Sequence, residues 1–398
     1  GVAFIGPPSQ AIRTMGEKQR ARAAMAGAGV PIVPGGSAET LEQARATAAS
    51  VGFPLLVKAA NGGGGKGMRL VMNEAELATA LERARSEAEK AFGSPTVYIE
   101  KALEHARHVE VQVLGDREGT VVHLGERDCS LQRRHQKIVE ETPCPVLDAA
   151  TRDALCDVAV KGARSIGYFS AGTFEFLLDR SGSFYFLEMN TRLQVEHPIT
   201  ELVTGMDLVR SMLEIAAGER IAPEPPARRG AALEARITAE DPAQGFTPSP
   251  GAIEHWVSPS GPGVREDSGV RSGSRVSSHY DPLLSKISVW APDRPQALAR
   301  LRRALGECVI TGVATNLDLL ERLCASPNVQ AGDYDTTFVE RELGALLAGA
   351  PASALSDEVL AAAAAAFVSH RDATEAPKRA DAGLSPWVML ERAARFER

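Results

Sequence analysis

Two glutamates on an expected β-hairpin are the residues whose types and spacing point most directly to chemistry. Glu175 and Glu188 lie in two runs rich in aromatic and branched residues, on either side of the turn-forming segment 180–183. Such runs around a Gly-containing turn predict two antiparallel strands. A turn centred on this segment pairs Glu175 with Glu188 and Leu177 with Phe186. Two carboxylates should then lie opposite each other on one face of a sheet.

Opposed carboxylates repel each other unless a positive charge lies between them, and a divalent cation is the simplest such charge. Asn190 is two residues beyond Glu188, so it projects from the same face of its strand. Glu175, Glu188 and Asn190 offer only hard oxygen ligands, which suit Mg²⁺ or Mn²⁺, and bound Mg²⁺ usually keeps water and phosphate oxygens as further ligands. The pattern therefore predicts phosphoryl transfer at a metal site. The alternative is an edge hairpin with two hydrated glutamates.

A dense polar cluster immediately after the second strand argues against that alternative. Arg192, Gln194, Glu196 and His197 follow at alternating or adjacent positions and end at Pro198. A guanidinium is a fixed fork that suits a planar anion, and a neighbouring carboxylate could remove a proton from that anion. The cluster therefore predicts a site for a small oxyacid beside a metal-bound phosphate.

A glycine-rich segment, residues 58–69, lies between two expected strands and suits phosphate binding. Glycines lack Cβ, so their backbone N–H groups can close over phosphate oxygens. A Walker A loop would need Gly at position 60 and Ser or Thr after Lys66, but Ala60 and Gly67 are present and no helix is expected to follow. We therefore expect a hairpin lid over a triphosphate, with Lys58 beside the phosphates. A plain glycine linker is the alternative.

The composition is typical of a globular chain large enough for two or three domains. The 398 residues are 44% hydrophobic and 24% charged, and the net charge of −7 with a pI near 5.7 argues against a nucleic-acid binder. Five scattered cysteines without a Cys-x-x-Cys pair indicate neither a disulfide framework nor a zinc site, so the reducing cytoplasm is the expected location. No apolar run approaches the roughly 20 residues that cross a membrane, and no leader opens the chain.

Hydrophobic periodicity and turn residues predict alternating helices and strands. Helices are expected over 11–29, 38–50, 74–91, 151–167, 206–218, 294–306, 315–325 and 357–368. Strands are expected over 1–6, 54–58, 68–72, 96–103, 108–114, 121–126 and 230–241, followed by short β segments to about residue 290. The segment 126–141 is too charged for a core and contains no Gly or Pro that would make it a simple loop.

Several motifs resemble biotin carboxylases, which are ATP-grasp enzymes. The segment Glu188-Met-Asn-Thr-Arg-Leu-Gln-Val-Glu-His-Pro198 is similar to their active-site segment. Arg127-Asp-Cys-Ser-Leu-Gln-Arg-Arg-His-Gln-Lys137, Met15-Gly-Glu-Lys18 and Glu234-Ala-Arg-Ile-Thr-Ala-Glu-Asp-Pro242 also resemble family motifs. The resemblance extends from Gly1 to about Leu343.

The resemblance implies an α/β (α+β) chain with an ATP-grasp fold and a β-rich biotin carboxylase C-terminal domain. Residues 13–222 would form the ATP-grasp domain, with a glycine-rich lid subdomain at about 32–102, and residues 230–343 the C-terminal domain. Residues 1–12 would be a remnant of an N-terminal βαβ domain. The Ala-rich residues 344–398 would be a linker toward a missing domain.

The resemblance also implies roles for individual residues. Nucleotide binding is expected from Lys18, Lys58, Gly64, Gly65, Met68, Glu100, Lys101, Leu103, His108, Gln132, His135, Glu175, Leu177 and Glu188. Glu175, Glu188 and Asn190 would hold Mg²⁺ or Mn²⁺. Bicarbonate and biotin would be bound by Lys137, Arg192, Gln194, Val195 and Arg236. Arg192, Glu196, Arg236 and Lys137 would be catalytic, with Glu196 as the bicarbonate base; Cys129 with Lys137 is the competing acid–base pair.

The implied reaction is the first half-reaction of an acyl-CoA carboxylase of the acetyl-, propionyl- or methylcrotonyl-CoA type. ATP would phosphorylate bicarbonate to carboxyphosphate, whose breakdown delivers CO₂ to biotin, so the enzyme would be a ligase that forms a C–N bond. No Ala-Met-Lys-Met biotinylation sequence is present, so a carrier protein or domain would bring biotin. A carboxyltransferase subunit and a second copy of the chain would be partners, with no nucleic acid or membrane.

Two alternatives remain at this point. A carbamoyl-phosphate synthetase type of ATP-grasp ligase would share the lid and the metal carboxylates, but would not need the cluster from Arg192 to His197 or Arg236. A non-catalytic ATP-binding fragment would retain the nucleotide site alone.

Overall fold

The computed structural model describes residues 1–59, 68–93, 95–348 and 365–368, and its first compact unit spans Gly1–Ala348. The expected lid glycines, Gly64 and Gly65 among them, and most of the expected helix 357–368 lie outside the described residues. The account below concerns the first unit.

The first unit alternates helices and strands, as the sequence predicts for most elements. The helices are α1 Ser9–Gly16, α2 Lys18–Gly27, α3 Leu41–Val51, α4 Glu74–Phe92, α5 Ala149–Ser165, α6 His197–Thr204, α7 Leu208–Ala217, α8 Arg294–Glu307, α9 Leu317–Ala325, α10 Pro327–Ala331 and α11 Phe338–Ala348. The longer strands are β1 Gly35–Ala38, β2 Leu55–Ala59, β3 Arg69–Val71, β4 Val97–Lys101, β5 Arg107–Gly115, β6 Val121–Arg133, β7 Gln136–Thr142, β8 Ser170–Leu178, β9 Phe184–Asn190 and β10 Ala231–Thr238. They are followed by β11 Glu240–Asp241, β12 Thr247–Pro248, β13 Gly251–Ala252, β14 Trp256–Val257, β15 Val264–Ser268, β16 Arg275–Val276, β17 Leu283–Ala291 and β18 Val309–Ile310.

An eight-stranded antiparallel sheet forms the platform for the site, with strand order β15-β17-β10-β7-β6-β5-β8-β9. It joins strands from both halves of the chain, because β10 pairs with β7 on one side and with β17 on the other. Apart from it lies a four-stranded sheet, β1-β4-β2-β3, whose apolar residues pack with those of α3 and α4 in a core of their own.

Strand β5 shows how the large sheet combines a core with a polar site. Val109, Val111 and Val113 project toward a core shared with α5. The intervening His108, Glu110 and Gln112 face the other way and are also buried, although alternation alone would place them in water. Because buried polar groups must find partners, this second face is organised by hydrogen bonds and ion pairs.

The hairpin formed by β8 and β9 confirms the pairing of Glu175 with Glu188. The register nearer the turn differs from the expectation, because Leu177 pairs with Tyr185 and not with Phe186.

A β-bulge explains how both facts hold. Leu187 has no register partner on β8, so the pairing shifts by one residue between the turn and the glutamates. The turn itself is tightened by Asp179, whose Oδ1 accepts hydrogen bonds from the backbone N–H groups of Ser181 (2.8 Å) and Ser183 (3.0 Å). The turn and the glutamate pair therefore have separate registers.

Some expectations about the elements were wrong. Residues 1–6 form no strand and the first five are exposed, because no described neighbour pairs with their backbone. The helix expected over 11–29 is two helices separated at Glu17, which is extended. The charged segment that begins at Glu126 lies largely in the interior of the large sheet, where its charges are paired. Helix α6 was not predicted, although Pro198 at its first turn is a helix-start signal.

Candidate active site

Lys137 lies at the centre of three carboxylates on the polar face of the large sheet. Its Nζ is 2.5 Å from Glu110 Oε2, 3.2 Å from Glu175 Oε1 and 2.5 Å from Glu196 Oε1. These glutamates come from β5, from β8 and from the residue before α6, so the antiparallel order of the strands brings them together. Burial acts against the charge of Lys137, but the carboxylates raise its pKa well above the ordinary value. The lysine is therefore a fixed cation.

Arg127 lies beneath this cluster, completely buried, and uses its whole guanidinium. Nε donates to Glu110 Oε1 (2.6 Å) and Nη2 to Gln194 Oε1 (2.9 Å). The remaining hydrogen bonds go to Gln112 Oε1 (2.8 Å), Thr200 Oγ1 (2.9 Å) and Thr173 Oγ1 (3.3 Å). A fork of five donors suits such a convergence of acceptors from different elements. Arg127 begins a segment that resembles a family motif, but no role was predicted for it from the sequence.

Glu196 connects Lys137 to a second arginine. Its Oε2 accepts from Arg236 Nη2 at 2.9 Å, while its Oε1 faces Lys137. Arg236 also donates from Nε to Glu140 Oε1 at 2.6 Å. Glu196 is buried between two cations, so its two oxygens are held in one orientation, one toward Lys137 and the other toward Arg236.

Glu175 and Glu188 form the expected carboxylate pair, but their surroundings differ. Glu175 is buried and accepts from Asn190 Nδ2 (2.8 Å) and Gln194 Nε2 (3.0 Å). Burial alone would raise the pKa of Glu175, but His108, 3.1 Å away, and Lys137 hold it below its ordinary range. Glu188 is exposed at the edge of the site, and its pKa is raised, first by partial desolvation and then by the charge of Glu175.

This imbalance fits a divalent cation. The negative charges of Glu188 and Glu175 repel each other across the strand pair, and a bound cation would remove this repulsion. The two glutamates and Asn190 share one face, and Asn190 would have to turn its amide oxygen toward the cation. The donor set therefore fits Mg²⁺ or Mn²⁺.

A cavity opens beside Glu188, between the small sheet and the β9 end of the large one. Its walls include Lys18, Lys58, Tyr98, Glu100 and Phe186. Lys58 is paired with Glu100. Burial, followed by the charge of Lys58, lowers the pKa of Lys18. The two lysines form a cationic wall next to the glutamate pair, which suits a polyphosphate whose metal lies at Glu188.

Several expected nucleotide contacts lie elsewhere or point away from this cavity. The Lys101 side chain donates to the carbonyl oxygens of Gly52 (3.3 Å) and Phe53 (2.8 Å). His135 is exposed at the turn between β6 and β7, where its φ of 67° is left-handed. Gln132 is buried opposite Lys137 in the β6–β7 register. Leu103, Met68 and Leu177 are half-buried.

The expected anion-binding residues are only partly assembled. Gln194 is fixed between Arg127 and Glu175. Arg192 is exposed and donates to the carbonyl of Leu193 (3.2 Å). The carbonyl of Val195 accepts from Lys286, a residue to which the sequence analysis gave no role.

Cys129 is completely buried near Lys137, and burial raises the pKa of its thiol well above the ordinary value. Such a thiol stays protonated, which makes it a poor base. The geometry therefore favours Glu196 over the pair of Cys129 with Lys137.

Glu110, Glu140 and Lys286 were missed together with Arg127. The signal for Glu110 was available, because it alternates with His108 on the polar face of β5. The partners of Arg127 and Lys286 are distant in sequence, so nothing in a local pattern could identify them.

Two protein-family models match the chain. Residues 17–223 match "Carbamoyl-phosphate synthase L chain, ATP binding domain", and residues 234–341 match "Biotin carboxylase C-terminal domain". The first match alone would leave the carbamoyl-phosphate synthetase alternative open. A biotin carboxylase from Nostoc sp. is 50% identical over 343 residues, which are 85% of this chain and 77% of the relative.

The chain belongs to the biotin carboxylase family. The expected fold, an ATP-grasp domain followed by a biotin carboxylase C-terminal domain, and the expected reaction, ATP-dependent carboxylation of biotin, are confirmed by this membership. The mitochondrial methylcrotonoyl-CoA carboxylase subunit alpha of Mus musculus is 49% identical over 85% of this chain and 48% of the relative.

Solved biotin carboxylases have the same fold. The biotin carboxylase domain dimer of Hydrogenobacter thermophilus 2-oxoglutarate carboxylase, in complex with MgADP, ADP and bicarbonate, superposes with a TM-score of 0.82 at 44% identity, over 87% of this chain and 77% of that one. A Campylobacter jejuni biotin carboxylase in complex with a β-γ-ATP ligand gives 0.81 at 45% identity, over 85% and 77%. Among the helices that the structure describes, none is both long and apolar enough to cross a bilayer.

Proposed function

We propose that this biotin carboxylase uses MgATP and bicarbonate to carboxylate biotin on a carrier protein or domain, at the site built around Lys137, Glu196 and Arg236. The observation that supports this assignment is the position of Glu196, which is held 2.5 Å from Lys137 and 2.9 Å from Arg236 on the face that also carries the glutamate pair. A base between two cations, beside a metal-binding pair, suits deprotonation of a small acid next to a phosphate.

The nucleotide binds in the cavity lined by Lys18, Lys58 and Glu100. Lys58 leaves its pair with Glu100 to contact phosphate oxygens, and Lys18, whose pKa is already lowered, gains a charge partner when the polyphosphate arrives. Further nucleotide contacts are proposed for Gly64, Gly65, Met68, Lys101, Leu103, His108, Gln132, His135 and Leu177. For Lys101, a contact through the backbone suits the structure better, because its side chain already bonds to Gly52 and Phe53.

Glu175, Glu188 and Asn190 hold Mg²⁺ or Mn²⁺, which when bound neutralises the phosphate oxygens in phosphoryl transfer. Glu188 provides the exposed ligand on the nucleotide side, and Glu175 the buried one. His108 orients Glu175 from behind.

Bicarbonate binds beside the metal pair through Arg192, Gln194 and the backbone N–H of Val195. Glu196 removes its proton, and the resulting oxygen attacks the γ-phosphorus of ATP, which releases ADP and forms carboxyphosphate. Lys137 compensates the negative charge at this stage. Arg192 must turn inward from its exposed position, where its guanidinium donates to the backbone carbonyl of Leu193.

Carboxyphosphate then splits into CO₂ and phosphate, and this phosphate accepts the N1′ proton of biotin. Arg236 stabilises the biotin enolate that results, and N1′ attacks CO₂ to form the C–N bond. Residues 13–222 would act as the ATP-grasp domain, with a lid subdomain at about 32–102, and residues 230–343 as the domain that supplies Arg236. The partners proposed are a biotin carrier and a carboxyltransferase, and a second copy of the chain is proposed because the Hydrogenobacter relative is a dimer. The cytoplasm is the proposed location, although some relatives are named as mitochondrial or chloroplastic.

The proposal is tested by ADP release from ATP in the presence of Mg²⁺ and bicarbonate, with and without free biotin. Turnover that biotin stimulates, and that is lost in both Glu188→Ala and Arg236→Ala, supports it. Loss in Glu188→Ala with an unchanged biotin response in Arg236→Ala would contradict the assignment of Arg236. ATP turnover without any biotin effect would support another ATP-grasp ligase.

A further inference from the structure

A second glutamate on β10 lies close to Arg236 but takes no part in the proposed reaction. Glu234 is two residues before Arg236, so it faces the same side of the sheet, and it is completely buried. Its neighbours across the two adjoining strands are Glu140 on β7 and Ser288 on β17. Ser288 Oγ donates to Glu234 Oε2 at 2.7 Å. Glu234 Oε1 has no hydrogen-bond partner among the described residues.

Glu140, like Glu234, has one carboxylate oxygen with a hydrogen-bond partner and one without a partner among the described residues. Its Oε1 accepts from Arg236, whereas its Oε2 is buried and likewise without a partner in the described part of the chain. The two glutamates are direct register partners, so their side chains lie next to each other on one face of neighbouring strands, with Cβ atoms about 4.5–5.5 Å apart. Two unpartnered buried carboxylate oxygens are costly, and two ionised carboxylates there would also repel each other. One proton between the pair removes both costs.

The charges around the pair agree with one bound proton. Burial, and then the charge of Glu140, raises the pKa of Glu234 to about 8. The pKa of Glu140 is raised by burial, with Arg236 acting against it. The other groups that act on Glu234 are Lys286 and Ser288 from β17 and Arg236 from β10 itself. Because Arg236 contacts Glu140 directly, Glu140 is the carboxylate of the pair and Glu234 is the acid.

We propose that Glu234 is a protonated acid that shares its proton with Glu140 and in this way positions Arg236 for biotin. The Arg236 guanidinium donates one hydrogen bond to Glu140 and another to Glu196. While Glu234 is neutral, a single negative charge balances Arg236 on the β7 side. Ionisation of Glu234 adds a second negative charge, which draws the Arg236 guanidinium away from Glu196. Glu234 contacts no substrate, so it is a positioning residue, and the inference rests on the role proposed above for Arg236.

The first test follows the KM for free biotin across the range from about pH 6.5 to about 9.5, on either side of the pKa expected for Glu234. In the full chain with saturating ATP, Mg²⁺ and bicarbonate, KM should rise severalfold as Glu234 ionises. Glu234→Gln, which imitates the protonated acid but cannot ionise, should lose this rise. Ser288→Ala, which removes a donor that favours the carboxylate, should move the rise to higher pH. A purely structural role for Glu234 would predict neither the loss of the rise in Glu234→Gln nor its move to higher pH in Ser288→Ala.

The second test does not depend on activity. The infrared spectrum at neutral pH should contain the carbonyl stretch of a protonated carboxyl group that disappears in Glu234→Gln and moves on ¹³C labelling of glutamate. A spectrum in which Glu234→Gln removes no such band would overturn the shared proton, and so would parallel pH profiles of KM in the wild type and Glu234→Gln. Absence of biotin-stimulated turnover in the wild type would instead overturn the proposed function, while the infrared band still decides the protonation of Glu234.

Discussion

The guanidinium Nη2 of Arg127 lies 2.9 Å from the side-chain oxygen of Gln194, and Arg127 is completely buried. This contact decides which way the Gln194 amide points, because a guanidinium can only donate. The amide nitrogen is thereby directed at Glu175, 3.0 Å away. A residue with no access to solvent therefore sets the orientation of a proposed bicarbonate ligand.

Substitution of Arg127 by lysine should damage bicarbonate use. A lysine ammonium has three donors on a flexible stem and cannot satisfy five acceptors in a fixed fork. Each lost hydrogen bond to a charged group is worth about 1.5–3 kcal/mol, so kcat/KM for bicarbonate should fall roughly tenfold or more. Steady-state ADP release at varied bicarbonate measures this. Arg322→Lys is the matched control, because Arg322 donates to the backbone carbonyls of Leu346 and Leu347 far from the site. An unchanged kcat/KM for bicarbonate in a folded Arg127→Lys variant would refute the prediction.

Substitution of Glu196 by glutamine should remove the general base while keeping the size of the side chain. General-base catalysis typically contributes about 10²- to 10⁴-fold, so kcat should fall by about two orders of magnitude or more with less change in the KM for ATP. Glu201→Gln on α6 is the control, since Glu201 binds Arg265 (2.6 Å) and the backbone of Leu208 (2.7 Å). Comparable losses of kcat in both variants would indicate a structural effect instead.

The two glutamates of the metal site should respond differently to substitution by glutamine. Glu188 is exposed and Glu175 is buried among Lys137, His108 and Gln194. Glu188→Gln should raise the Mg²⁺ concentration needed for half-maximal activity with little change in Tm. Glu175→Gln should raise that concentration and also lower Tm, because removing one partner of a buried ion pair costs about 3–5 kcal/mol. Thermal melts and Mg²⁺ titrations measure both quantities, and equal Tm values for the two variants would contradict the asymmetry.

The stability of the wild type should fall relative to Glu234→Gln as the pH rises. The folded chain raises the pKa of Glu234 to about 8 from the ordinary value of 4.5, so the folded state binds the proton more tightly than the unfolded one. The stabilisation is complete below about pH 4.5 and is lost up to about pH 8, at no more than about 1.4 kcal/mol per pH unit. Denaturant melts of both proteins at several pH values give the difference in the free energy of unfolding. A difference that is independent of pH would show that Glu234 is ionised in the folded state.

Local patterns were sufficient for the pairing of Glu175 with Glu188 and insufficient for the surroundings of this pair. The pairing of Glu175 with Glu188 follows from strand alternation and a central turn, both of which depend on neighbouring residues only. The fully buried position of Arg127 does not, because the acceptors that stabilise its charge come from β5, β8, α6 and the loop that follows β9. A charged segment is expected to be exposed to solvent unless the partners that neutralise its charges are known. For the same reason the sequence identified Arg236 by resemblance but could not show that Glu140 and Glu196 share it.

Lys101 is a second residue whose contacts could not be predicted from the local sequence. Lys101 lies at the end of β4, next to Glu100, which lines the proposed nucleotide cavity. Alternation along the strand then turns the neighbouring side chain to the opposite side, where it bonds to two carbonyl groups. The strand was predictable, but which of two adjacent side chains faces the cavity depends on the pairing with β1 and β2.

The bulge at Leu187 separates the spacing of the turn from the spacing of the metal ligands. A one-residue shift in register moves every following side chain to the other face of a sheet. Deletion of Leu187 would cause no such shift, because Phe186 pairs with Phe176 and Glu188 with Glu175, so the two registers would join in one regular ladder. Position 187 therefore holds one residue more than the ladder needs, and its removal should abolish the local bend of the bulge while Glu188 stays opposite Glu175.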